Sequence, residues 1–115
     1  MKLLAPLFCL ATMLALVFAA SDAPKRKILF FSKSSGFEHS VISWKKGQPS
    51  HAEGVLNELG AKHNWEFTFS KDGSKFSKDY LAQFDAVFFY TTGNMLEDGT
   101  DKQPPMTAEG NQALF

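Results

Sequence analysis

Three short apolar segments of the chain have the length and composition of β-strands. Residues 28–31 contain no polar side chain, which is typical of a strand covered on both faces in a parallel sheet. Residues 65–70 alternate apolar and polar side chains and predict a second strand, nearer the edge of the sheet. Residues 86–90 are again continuously apolar and predict a third strand. The aromatic residues of the first and third strands are expected in the core: Phe30, Phe31, Phe88, Phe89 and Tyr90.

A helix is predicted between the first two strands. Ser50, followed three residues later by Glu53, has the form of a capping box at a helix N-terminus. Behind it, apolar residues recur at helical spacing at Ala52, Val55, Leu56 and Leu59. Gly60 is expected to end the helix. Gly54 weakens it by about 1 kcal/mol relative to alanine.

Two further helices follow the second and third strands. Ser77 is predicted to cap a short helix that carries Tyr80 and Leu81, and Thr107 to cap a helix that begins at Ala108. Strands that alternate with helices at this spacing predict an α/β fold with a parallel sheet. Three strands make a thin parallel sheet and no strand follows the last helix, so we expect the domain to be incomplete in this chain.

The N-terminal residues 1–20 have the three parts of a secretory signal peptide. Lys2 is basic, an apolar run follows, and small residues surround a cleavage point after Ala19 or Ala20, with Ala23 as another choice. The alternative is an uncleaved membrane anchor, because the run approaches the roughly 20 residues that span a bilayer. We expect export to the periplasm or the extracellular space, with no stable membrane insertion after cleavage.

The remainder divides into a short polar linker, residues 21–27, and one domain, residues 28–115. Cys9, the one cysteine, lies in the signal segment, so a disulfide-stapled scaffold is excluded for the mature chain. Twelve basic and twelve acidic residues give a formal net charge of zero, which does not favour a nucleic-acid or anionic membrane partner. Three scattered histidines without metal-site spacing predict no metal site, and no cofactor is expected.

Ligands of open parallel sheets bind outside the carboxyl ends of the strands. The loops 32–40 and 91–94 leave two such ends. They place polar candidates on one rim of the sheet: Ser34, Ser35, Glu38, His39, Thr91, Thr92 and Asn94. Gly36 and Gly93 allow sharp turns or close approach to a ligand.

His39 is the first candidate for chemistry, because an imidazole can act as a general base, a hydrogen-bond donor or a metal ligand near neutral pH. The alternative is a loop histidine that only bonds locally. Glu38 either orients that imidazole or is solvated. Trp44 is either a lid on the core or a platform on which a sugar stacks. Neither Ser34 nor Ser35 lies in a G-x-S-x-G elbow, so a nucleophilic serine is not favoured.

Three segments in this order resemble one known family. KILFFSKSSGFEHSVI at 27–42, the strand and turn at 65–72, and FDAVFFYTTG at 84–93 are similar to the ThuA-like (trehalose utilisation) domain. The resemblance covers residues 27–115 and corresponds to the N-terminal portion of that domain only. It implies a three-layer, flavodoxin-like parallel sheet of the class I glutamine amidotransferase-like superfamily.

The resemblance also implies a function. It suggests an exported protein of carbohydrate metabolism that binds or transforms trehalose or a related glucoside. His39 would be the catalytic residue, while Ser35, Glu38, Thr92 and Gly93 would bind the substrate. Whether the protein is an enzyme stays open, as does homo-oligomer formation or the presence of appended domains. The alternative is a non-enzymatic interaction module of an exported multidomain protein.

Overall fold

A parallel three-stranded sheet forms the centre of the described part of the protein. The computed structural model describes residues 23–115, so the predicted signal peptide and Cys9 lie outside the described residues. The strands are β1 (Arg26–Phe31), β2 (Trp65–Ser70) and β3 (Ala86–Phe89). The helices are α1 (His51–His63), α2 (Lys78–Leu81) and α3 (Ala108–Gln112), and two short 3-10 turns span Ser40–Ile42 and Gly73–Lys75.

The order of the strands is β2-β1-β3, and both pairs are parallel. This confirms the predicted mixed α/β fold, with β1 in the middle and β2 at an edge. The register sets Phe30 of β1 beside Phe69 of β2 and Phe88 of β3. Because side chains alternate between the faces of a strand, these three rings share one face of the sheet. Phe30 packs edge-on against both, with ring centroids 5.9 and 5.1 Å away.

Helix α1 lies on this aromatic face and ends later than predicted. It continues three residues past Gly60 to His63, and Asn64 ends it in the left-handed conformation at φ 59°. Gly60 is needed for packing instead, because a Cβ there would lie 2.8 Å from the carbonyl oxygen of Trp65 and would touch the Phe67 ring. The prediction that Gly60 stops the helix was therefore wrong.

The opposite face carries a second core. Leu29 and Phe31 of β1 are buried there with Phe76 and Met106, and the rings of Phe31 and Phe76 are 4.7 Å apart. Residues of α2 and of the C-terminal segment pack around this cluster: Tyr80, Leu81 and Leu114. Helices thus lie on both faces of the sheet, as the continuously apolar β1 predicts.

The predicted helix caps are confirmed. The Ser50 hydroxyl accepts the Glu53 N–H, and the Glu53 carboxylate accepts the Ser50 N–H at 2.7 Å. Ser77 and Thr107 cap α2 and α3 in the same way, by accepting backbone N–H groups of the first turn. These local contacts satisfy donors that a helix N-terminus otherwise leaves without partners.

Strand β3 differs from expectation. Phe30 and Phe31 are buried, but Phe88 is 45% exposed, and Phe89 and Tyr90 are also more than a third exposed. The reason is topological, because β3 has a single neighbour in the described sheet. Within residues 23–115, no helix has the length and apolar character needed to cross a bilayer.

Candidate functional site

The loops that follow β1 and β3 are joined at the carboxyl edge of the sheet. Ser34 and Thr92 form a parallel bridge, and the Ser35 N–H donates to the Thr92 carbonyl at 2.8 Å. The Thr92 hydroxyl in turn donates to the Phe37 carbonyl. The two loops therefore extend the pairing of β1 and β3 and hold their polar residues next to each other.

Gly93 makes this close approach possible. Its φ is +75°, and a Cβ at this position would lie closer than 3.0 Å to the carbonyl oxygen of Ser35. Glycine alone adopts this backbone conformation at little cost and has no Cβ to collide. Gly93 therefore supports the site as a spacer between the two loops.

A cleft of about 320 Å³ opens beside this junction. Its lining residues are His39, Phe89, Tyr90, Thr91 and Thr92. They combine an imidazole, two aromatic rings and three hydroxyls at the edge where parallel sheets bind ligands. The cleft is open to solvent, so a small polar molecule can reach each of these groups.

The imidazole of His39 is exposed and stands between two aromatic rings. Its centroid lies 4.9 Å from that of Phe37 and 5.7 Å from that of Tyr90, and both contacts are edge-to-face. Among residues 23–115, no side chain or backbone group hydrogen bonds to either ring nitrogen of His39. Both nitrogens are therefore free to donate to or accept from a ligand.

The structure brings two of the predicted site residues together in the cleft, His39 and Thr92. Ser35, Glu38 and Gly93 do not line the cleft and make other contacts. Ser35 donates its hydroxyl to Glu97 at 3.3 Å, and Gly93 packs on the Ser35 backbone. Glu38 accepts from Lys71 at 2.6 Å, so its carboxylate is held by an ammonium group rather than by its neighbour His39.

Two buried lysines at this edge were not predicted as functional. Lys33 follows β1 and Lys71 follows β2, and both side chains are fully buried. The Lys33 ammonium donates to the Glu97 carbonyl. Burial lowers the pKa of Lys33 from 10.5, although the nearby carboxylates of Asp98, Asp101 and Glu97 act in the opposite direction. The one signal for them in the sequence is that a Phe-Ser-Lys tripeptide stands at the carboxyl end of each of these strands.

Trp44 covers Lys71 and borders a second cleft. Its ring centroid is 5.0 Å from the Lys71 nitrogen, and its indole N–H donates to Glu53 at 2.8 Å. The cleft of about 330 Å³ beside it is mostly apolar and also includes Phe69 and Asn57. Trp44 thus acts as a cover over a buried charge, while its ring remains partly exposed.

The described residues contain no cluster of three or more histidine, cysteine or acidic side chains arranged to hold a metal ion. Comparison of the chain with protein-family models, with curated proteins and with solved structures finds no match. The function therefore has to be inferred from the cleft and from the residues of the sequence.

Proposed function

We propose that the cleft at the carboxyl edge binds a sugar and that the chain is a ThuA-like protein acting on trehalose or a related glucoside. The observation that carries the proposal is the lining of the cleft, where His39, Tyr90, Thr91 and Thr92 surround one open space. Ligand sites of this size combine apolar walls with a few polar groups that fix orientation. A sugar presents both hydroxyl groups and apolar ring faces to such a lining.

Two polar groups of the cleft, Thr92 and His39, have a defined hydrogen-bonding capacity. The Thr92 hydroxyl donates its proton to the Phe37 carbonyl. Its oxygen can therefore only accept a hydrogen bond from a sugar hydroxyl. His39 can donate from one nitrogen and accept at the other. In an enzyme, His39 would act as a general acid or base on a ligand hydroxyl, and in a binding protein it would only hold that hydroxyl.

The wider proposal includes a flavodoxin-like, three-layer domain and export through the signal segment. It is supported by three parallel strands with helices on both faces and by the pattern of residues 1–20. It is also supported by the resemblance of the segments around His39 and Thr92 to the ThuA-like family. No nucleic-acid partner is proposed, because the net charge is zero.

A thermal-shift screen of the full-length protein against mono- and disaccharides tests this function. A sugar present at 100 times its dissociation constant should stabilise the folded state by about 2.7 kcal/mol. Trehalose or a related glucoside should therefore raise the melting temperature, while an acyclic polyol at the same concentration should not. Equal, small shifts with every solute would contradict a sugar site.

A second candidate function is an interaction module. It is favoured by apolar side chains that remain exposed near the same edge, with Phe37 69% and Leu96 50% accessible. Such residues can mark a protein-binding surface. Chemical cross-linking of the exported full-length protein in its native compartment should then trap one partner reproducibly. If the double variant Phe37→Ser, Leu96→Ser is cross-linked to the partner as efficiently as the wild type, this surface is excluded as the binding site.

A further inference from the structure

Lys71 connects three loops at the carboxyl edge through a buried ionic cluster. Its ammonium lies 2.6 Å from the Glu38 carboxylate, in the loop after β1, and 3.1 Å from the Asp101 carboxylate, in the segment after β3. The Lys71 side chain is fully buried, and Trp44 closes the cluster from above. A buried ammonium is tolerated only when it is paired, so the two carboxylates and the lysine hold each other in place.

The cluster is adjacent in sequence to the one imidazole of the cleft. The backbone at His39 is extended, with φ −68° and ψ 136°. Lys71 holds the Glu38 carboxylate, whereas the next side chain, His39, is exposed and meets the Tyr90 ring.

We propose that Lys71 is a positioning residue of the cleft: by binding Glu38 from beneath, it fixes the loop after β1 so that the His39 imidazole faces the ligand. This role of Lys71 rests on the proposed function, because it requires that the cleft be the ligand site. The proposal assigns Glu38 a role beneath the site, in place of direct contact with substrate. It also explains why a fully buried lysine and its tryptophan cover lie at this end of the sheet.

Nuclear magnetic resonance of the full-length protein with labelled histidine, tyrosine and tryptophan rings tests the proposal without any ligand. The wild type should show a cross-peak between the His39 and Tyr90 rings. It should also show one between His63 and Trp65, which are stacked 4.9 Å apart at the opposite end of β2 and serve as an internal reference. Lys71→Met should lose the first cross-peak and keep the second.

Two variants of Glu38 keep the test decisive if Lys71→Met does not fold. Glu38→Ala removes the contact from the other side and should also lose the His39–Tyr90 cross-peak. Glu38→Gln keeps an oxygen that accepts from the ammonium and should retain it. Lys62→Met removes an exposed lysine near the end of α1 and should change neither cross-peak.

The His39–Tyr90 cross-peak at wild-type intensity in Glu38→Ala would overturn the proposal, whatever Lys71→Met does. The same spectra recorded with trehalose separate the two claims. If the wild type shows no response to trehalose but the variants behave as expected, the sugar function fails and the positioning role stands. If trehalose binds equally to the wild type and to Glu38→Ala with an unchanged cross-peak, the positioning role fails alone.

Discussion

Replacing Gly93 by alanine should destabilise the protein more than the same substitution at any other turn glycine with positive φ. Two costs add at this position. An L-residue in the left-handed region costs about 1–2 kcal/mol. The new Cβ would also lie closer than 3.0 Å to the Ser35 carbonyl oxygen, and forcing extra atoms into a packed site costs about 1–3 kcal/mol more. The expected total is about 2–5 kcal/mol.

Gly47 provides the matched control. Its φ is +73°, nearly that of Gly93, but no atom lies within 4 Å of a Cβ built there. Gly47→Ala should therefore show only the conformational cost of about 1–2 kcal/mol. Urea unfolding of both full-length variants, followed by tryptophan fluorescence, measures the two losses of unfolding free energy. Equal losses would refute the conclusion that the loops after β1 and β3 are pressed together at Gly93.

Three further predictions concern local energetics. Gly54→Ala should raise the free energy of unfolding by about 1 kcal/mol, because Gly54 lies inside α1 with open space around it, and an unchanged urea midpoint would contradict this. Ser50→Ala should lower it by about 1 kcal/mol, since the capping box is lost, and an unchanged urea midpoint would contradict this. Burial lowers the pKa of Lys33, so the unfolded chain binds more protons than the folded chain below 10.5, and stability should rise with pH towards that value. Lys33→Met should flatten the rise in unfolding free energy measured as the pH approaches 10.5 from below, and identical slopes would contradict the burial of this amine.

The strands and caps could be predicted from the sequence because their causes are local. The residues 65–70 predicted for β2 match its observed bounds, and the Ser50 cap is satisfied by a residue three positions away. The end of α1 could not be predicted in the same way. Gly60 has the residue type of a helix stop, but its role is decided by Trp65 and Phe67, which approach it only in the folded protein.

The buried lysines show the same limit at the site. Phe-Ser-Lys occurs three times in the chain, at 31–33, 69–71 and 76–78. The first two tripeptides lie at the ends of strands, and their lysines are buried. The third lies at the start of α2, and its Lys78 is exposed. The tripeptide alone therefore does not distinguish a buried charge from a solvated one. The distinction depends on carboxylates that arrive from 30 or more residues away, as Glu38 and Asp101 do for Lys71.

The central claim is that His39 faces a ligand in the cleft between the loops after β1 and β3. Calorimetric titration of trehalose, or of the best glucoside from the thermal-shift screen, into the full-length protein and its His39→Ala variant tests it most directly. Binding should weaken at least about tenfold, equal to 1.4 kcal/mol, because a hydrogen bond to the ligand is lost. The melting temperature without ligand should stay close to that of the wild type, since the imidazole is exposed, and His51→Ala on α1 should leave binding unchanged. Undiminished binding to His39→Ala would contradict the account.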